Sequence, residues 1–210
     1  GEVRALLVRG NGKVFSAGAD VAQFAGKSAD QMRPLINSFL VLGLRMEQLP
    51  FPTLAAVHGT CIAGAFELAL FCDLIWAAES AVFGLAFVNI GLVPDGGSTF
   101  LVPVAAGKAR ALEMALLGDP IPAQQALDWG LINRVVPDGA LMEEARALAG
   151  RLAQGPTRSY AQSKRALNNS FLKIMDEQLD LEADIQGEMV TSADFIEGED
   201  SLDRAGRHTG

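Results

Sequence analysis

Short apolar runs closed by glycine alternate with longer apolar runs at helical spacing through the first eighty residues, and this alternation limits the fold most. Arg4 to Arg9 (RALLVR) reads as a buried strand, and Gly10-Asn11-Gly12 supplies turn chemistry after it. Gln31 to Gln48 carries Met32, Leu35, Ile36, Phe39, Leu40, Leu42 and Met46 at helical spacing, ended by Pro50 and Pro52. Thr53 to His58 reads as a short strand broken by Gly59, Gly64 to Cys72 as a buried helix, and Asp73 to Ala77 as the next strand. Strand and helix in turn predict an α/β core.

Helix dominates the remainder. Segments 108–117 and 123–127 read as helical, Leu131 to Val136 as a strand, and Ala140 to Leu152 as a helix. Pro156 stands at a helix start leading Thr157 to Asn169. Asp176 to Val190 is amphipathic, and the acidic stripe over 176–188 is expected on a solvated face. The expected organisation is an α/β core over residues 1–153 and a helical region over 154–210. There is no internal repeat and no low-complexity linker.

Composition acts by exclusion. With 210 residues, half of them hydrophobic, the chain has ample material for a core and is not disordered. No apolar run reaches the roughly 18 residues that span a bilayer. The opening GEVRALLVRG lacks the marks of a signal peptide, so a soluble, cytoplasmic protein without a membrane partner is expected. Net charge is −8 with Lys and Arg scattered, which argues against a nucleic-acid partner. Cys61 and Cys72 read as buried reduced thiols, and His58 and His208 are too few to suggest a zinc site, so no metal is expected.

Three blocks carry candidate chemistry: GKVFSAGADV (Gly12 to Val21), VHGTCIAGAFELALFCDL (Val57 to Leu74) and VFGLAFVNIGLVPDGGST (Val82 to Thr99). Small-residue runs let backbone approach a ligand closely, although they also serve as plain turns. Glu67 stands in a stretch otherwise apolar on every side, where a charge is costly unless it is paired or does chemistry. The alternative is a Glu that faces solvent or an ion-pair partner. Asp95 before Gly96-Gly97 fits either a catalytic acid or an ordinary Asp-Gly turn. Gly10 to Lys13 lacks the spacing of a phosphate loop, His58 reads as structural, and Ser16 and Ser98 are in no nucleophile elbow.

The three blocks, in this order and at this spacing, resemble the crotonase (enoyl-CoA hydratase/isomerase) superfamily. The similarity continues through residues 111–136 and covers most of Arg4 to Val190; GLVPDGGSTFLVP is most similar to the isomerase branch that includes ring-epoxyphenylacetyl-CoA isomerases. The resemblance implies a spiral of ββα units (ClpP/crotonase-like) with a C-terminal helical layer that builds a homotrimer or a dimer of trimers. It implies an acyl-CoA thioester as substrate and no separate cofactor, since coenzyme A is part of that substrate. Amides matching Ala19 and Gly64 would hold the enolate oxygen, and Ala17, Ala19, Asp20 and Val21 would contact CoA around the adenine and pantetheine. Glu67 matches one of two hydratase glutamates; Phe87 stands at the other's position and would line an acyl pocket. Asp95 matches the acid of isomerases and aryl-CoA dehalogenases. Family members begin with a further strand–helix segment that the given sequence does not include, and SLDRAGRHTG departs from their usual tail.

The leading expectation is a double-bond shift with Asp95 as base and Glu67 assisting. A hydratase using Glu67 and Asp95 across a water is the second. A non-catalytic acyl-CoA binding or assembly subunit is the third.

Overall fold

The computed structural model describes residues 3–24, 26–169, 172–193 and 195–198. The alternation seen in the sequence builds two sheets rather than one, because each winding of the chain gives one strand to each. β1 (Leu6–Arg9) opens the first sheet, Ser16 bridges to the second, and helix α1 (Ala29–Glu47) follows. The next winding runs β2 (Thr53–Val57), β3 (Thr60–Ile62) and α2 (Gly64–Leu70). The third runs β4 (Leu74–Ala78), β5 (Val82–Gly84) and α3 (Ser98–Ala106). Then come α4 (Lys108–Leu117), β6 (Ile121–Pro122), α5 (Ala123–Asp128), β7 (Arg134–Val136) and α6 (Leu141–Gln154). The helices α7 (Thr157–Asn169) and α8 (Leu172–Met189) follow, and residues 195–198 are again helical.

The first sheet is parallel with order β1-β2-β4-β7; the second has order β3-β5-β6, with β6 antiparallel. Every residue of β2 is buried, as expected of a central parallel strand covered on both faces. Phe66 of α2 packs its ring against Phe83 of β5 at 5.4 Å between centroids, which fastens the helix to the second sheet.

Several boundaries differ from the sequence expectation. The first strand starts at Leu6, and the second helix ends at Leu70 with Phe71 as its cap. Only Arg134–Val136 of the expected 131–136 strand enters the ladder; Leu131 and Ile132 turn into the core, and Asn133 bonds Ile75 through both main chain and side chain. Four elements carried no readable pattern: β3 and β5, at three residues each, β6, at two, and α3, which opens after Gly96-Gly97 and contains Pro103. The last helix begins at Leu172 rather than Asp176. SLDRAGRHTG lies outside the described residues.

One expectation is overturned. The stripe over 176–188 is not a solvated face throughout, because Glu182 and Gln186 are 2% and 3% exposed. α8 packs on α1 and α3, and four-residue spacing turns this pair inward together.

Candidate active site

The first block runs beside β3. Ser16 N–H donates to Thr60 O at 3.1 Å, and the loop then passes close over residues 62–64. Gly18 has φ +96°, and a Cβ on it would meet Ala63 Cβ at 3.2 Å and Gly64 N at 3.4 Å. Only glycine suits both the conformation and that approach. Ala63 itself holds φ +50°, a rare conformation for a residue with a side chain, and starts α2 by accepting the Phe66 and Glu67 amides. Gly64 is the first residue of that helix, so its amide has no carbonyl to bond within it. A Cβ at Gly64 would lie 3.9 Å from Ala19 N, 3.8 Å from Glu67 Oε2 and 3.9 Å from the Phe39 ring. The two amides and the Glu67 carboxyl therefore border one small volume.

This volume opens into a cavity of about 640 Å³ with a mainly apolar wall. Ala17, Ala19, Val21, Gly64, Glu67, Phe87 and Asp95 all line it. Asp20 does not; its carboxylate accepts the Ala22 N–H at 3.2 Å and caps a short 3₁₀ turn at Val21–Gln23. Phe87 is 8% exposed and contributes apolar wall to the cavity.

Glu67 has no solvent exposure, so the solvent-facing alternative fails. Its Oε1 lies 3.0 Å from Ser98 Oγ, which lies 2.7 Å from Asp95 O. A serine hydroxyl has one hydrogen and cannot fully serve both acceptors. A proton on Glu67 resolves the conflict: Glu67 donates to Ser98, and Ser98 donates to the Asp95 carbonyl. Oε2 of Glu67 is buried without a hydrogen-bond partner, a large cost for an ionised carboxylate and a small one for a neutral acid. Burial holds the Glu67 carboxyl well above the usual carboxylate range, and the charge of Asp95 adds to the shift.

Asp95 is raised as well, first by burial and then by the negative charge of Glu182, while a bond from Gln186 Nε2 to Oδ2 at 3.1 Å pulls it back down. Its backbone also makes the turn that the residue type suggested, accepting the Ser98 N–H at 2.9 Å. Glu182 accepts from Gly97 N at 2.7 Å, Thr99 N at 3.2 Å and the Thr99 hydroxyl, and so holds the start of α3. Burial raises Glu182, and these donors oppose that.

Sequence reasoning missed Ser98, Glu182, Gln186 and Phe39 as site residues. The readable signal was a Glu-Gln pair four residues apart within an otherwise charged stripe, and it pointed equally well to solvent. His58 lies away from the cavity with Nε2 at 2.9 Å from Gly12 O. Cys61 and Cys72 are free and buried; burial pushes both thiols up, Cys72 to about 12, so neither is a ready thiolate. Among the described residues no group of three or more His, Cys, Asp or Glu could hold a metal ion.

Comparison with known proteins agrees with this geometry. A family model described as enoyl-CoA hydratase/isomerase matches residues 1–205. A 1,2-epoxyphenylacetyl-CoA isomerase of Escherichia coli is 40% identical over 200 residues, covering 93% of this chain and 76% of that protein. A probable enoyl-CoA hydratase of Rhodobacter capsulatus is 39% identical over 198 residues, covering 94% and 77%. The crystal structure of an enoyl-CoA hydratase from Mycobacterium avium subsp. paratuberculosis superposes with a TM-score of 0.85 at 36% identity, covering 93% of this chain and 78% of that one. The two-sheet winding is thus the crotonase fold, and a chain matched over nearly its whole length, with Glu67 and Asp95 beside a pair of close amides, belongs to the enoyl-CoA hydratase/isomerase family.

Proposed function

We propose that the protein shifts a double bond along an acyl-CoA thioester, with Asp95 as the base. The Ala19 and Gly64 amides hold the thioester oxygen, where two fixed donors stabilise developing negative charge. Asp95 takes a proton from the carbon next to the carbonyl, and the electron pair of that C–H bond moves through the carbonyl onto the thioester oxygen, giving a dienolate. Asp95 then returns that proton two carbons further along, so atoms and charge balance without a water or a cofactor. Coenzyme A belongs to the substrate, lying against Ala17, Ala19, Asp20 and Val21, and Phe87 contacts the acyl chain.

The observation that carries this reading is the unequal carboxyl pair. Complete burial favours the neutral form of Glu67, whereas Asp95 has a donor of its own in Gln186. A buried phenylalanine at position 87 leaves one carboxylate free to act as base, and one is enough for a proton shift. The similarity to the E. coli isomerase supports the same side. Hydration is the second reading, favoured by the presence of two carboxyls in one cavity.

The test is to incubate the protein with a 3-enoyl-CoA and identify the product by chromatography and mass. A conjugated 2-enoyl-CoA of unchanged mass, lost in Asp95→Asn while thioester binding survives, supports the isomerase. Full turnover by Asp95→Asn sinks it. A product heavier by one water, with Glu67→Gln and Asp95→Asn both crippled, makes the protein a hydratase.

The assembly belongs to the same proposal: residues 154–210 act as the oligomerisation region of a homotrimer or a dimer of trimers. A cytoplasmic setting also belongs to it, supported by two free cysteines.

A further inference from the structure

Gln186 reaches Asp95 from 91 residues further along the chain, and it holds the base in two ways at once. Its side-chain Oε1 accepts the Val93 N–H at 3.2 Å, and its Nε2 donates to Asp95 Oδ2 at 3.1 Å. A backbone N–H can only donate, so the amide oxygen must face Val93 and the NH₂ must face Asp95. The loop backbone, not the carboxyl, therefore dictates the orientation of the amide. At 3% exposure Gln186 has little water to exchange these bonds with, and it lines the cavity itself.

The NH₂ group favours a bare Oδ2. A proton on Oδ2 weakens this bond, while a proton on Oδ1 keeps it. Two titratable groups bear on Asp95 among the described residues, Glu67 from α2 and Glu182 from α8. The Glu182 charge opposes ionisation of Asp95, while the Glu67 carboxyl as a hydrogen-bond partner favours it, though less than Gln186 does. Gln186 supplies the fixed donor from α8 that favours ionisation.

We infer that Gln186 is the positioning residue that keeps Asp95 ionised and leaves Oδ1 as the oxygen that accepts the substrate proton. This rests on the reading of Asp95 as the base. It also gives α8 a part in the chemistry, since that helix sets the first carboxylate oxygen through Gln186 and the start of α3 through Glu182.

The experiment compares wild type, Gln186→Met and Asp95→Asn in the 3-enoyl-CoA reaction from about pH 5 to 9, following kcat/KM. Met keeps the length and apolar packing but removes the donor. Its acid limb is expected to move up by about one to two pH units, with a loss of about 10- to 100-fold below the limb and a much smaller loss above it. A limb that stays in place, or an equal loss at every pH, overturns the inference and leaves a structural role only. Should Gln186→Met not fold, Gln186→Glu places an oxygen against Asp95 and is expected to shift the limb further; an unmoved limb there also overturns it. Asp95→Asn separates the two claims. If it is inactive while the Gln186 variants keep the wild-type limb, only the role of Gln186 fails; if it is active, the base assignment itself fails.

Discussion

Gly64 and Gly96 both border the Glu67 carboxyl, yet a methyl group at each acts on a different property. At Gly64 a Cβ would meet nothing nearer than 3.8 Å, an ordinary contact, but it would fill the volume in front of Ala19 N. Gly64→Ala is expected to unfold near the wild-type temperature and to lose about 100-fold in turnover, the scale of one oxyanion donor. Near-normal kcat/KM would remove this gap as the thioester site. At Gly96 the backbone sits at φ +57°, and a Cβ would collide with Glu67 Oε2. Gly96→Ala is expected to cost about 1–3 kcal/mol in denaturant unfolding, because strain and overlap act together. Glu67 and Asp95 were legible at this scale because each is anomalous against its neighbours, a carboxylate in an apolar helix and an acid beside two glycines. Their protonation order was not legible, since it depends on Ser98 and Gln186 arriving from elsewhere.

At the scale of elements, the attachment of α7 to α1 shows how polar groups fasten a helix. Lys164 Nζ donates to Met46 O at 2.8 Å and to Asp73 Oδ2 at 3.0 Å, and Asp73 also accepts the Thr53 N–H and hydroxyl. Asn168 donates to the carbonyl and to the carboxylate of Glu47. Burial raises Glu47 from the ordinary 4.5 to about 7, opposed by Lys164. The folded protein therefore binds this proton more tightly than the unfolded chain. That contribution to stability is complete below about pH 4.5 and is lost as pH rises through about 7. Glu47→Gln is expected to remove this loss, gaining about 1–3 kcal/mol relative to wild type at about pH 8 compared with about pH 5. Parallel stability curves for the two proteins would show that Glu47 does not titrate in that window. Long periodic helices were readable in advance, and α7 runs over the residues its pattern indicated. The three-residue strands were not, because so short a run has no period, and the facing of α8 was misread because a charged stripe describes its solvent side only.

Across the whole molecule, several large apolar side chains lie outside the core. Leu112, Leu116 and Leu117 of α4 are 46%, 68% and 61% exposed, and Val104 of α3 is 53% exposed. Patches of this kind suit association between chains. Light scattering on a sizing column is expected to give three or six times the 22.2 kDa chain mass. Replacing Leu116 and Leu117 together with Glu is expected to lower the assembled fraction; a monomeric wild-type protein would end the trimer proposal.

By itself the sequence determined the α/β alternation, the long helices and the two anomalous carboxylates, because each is written in spacing and contrast over a few residues. The order and spacing of its three blocks also pointed to the family. Tertiary structure decided which strand went to which sheet, that Glu67 is fully buried beside Asp95, and that Glu182 and Gln186 belong to the site. The placement of Glu182 and Gln186 comes from contacts 85 to 93 residues apart, between α8 and the loop around Asp95. Burial and hydrogen-bond partners set the state of a carboxyl, and neither exists until the helix has packed against the loop.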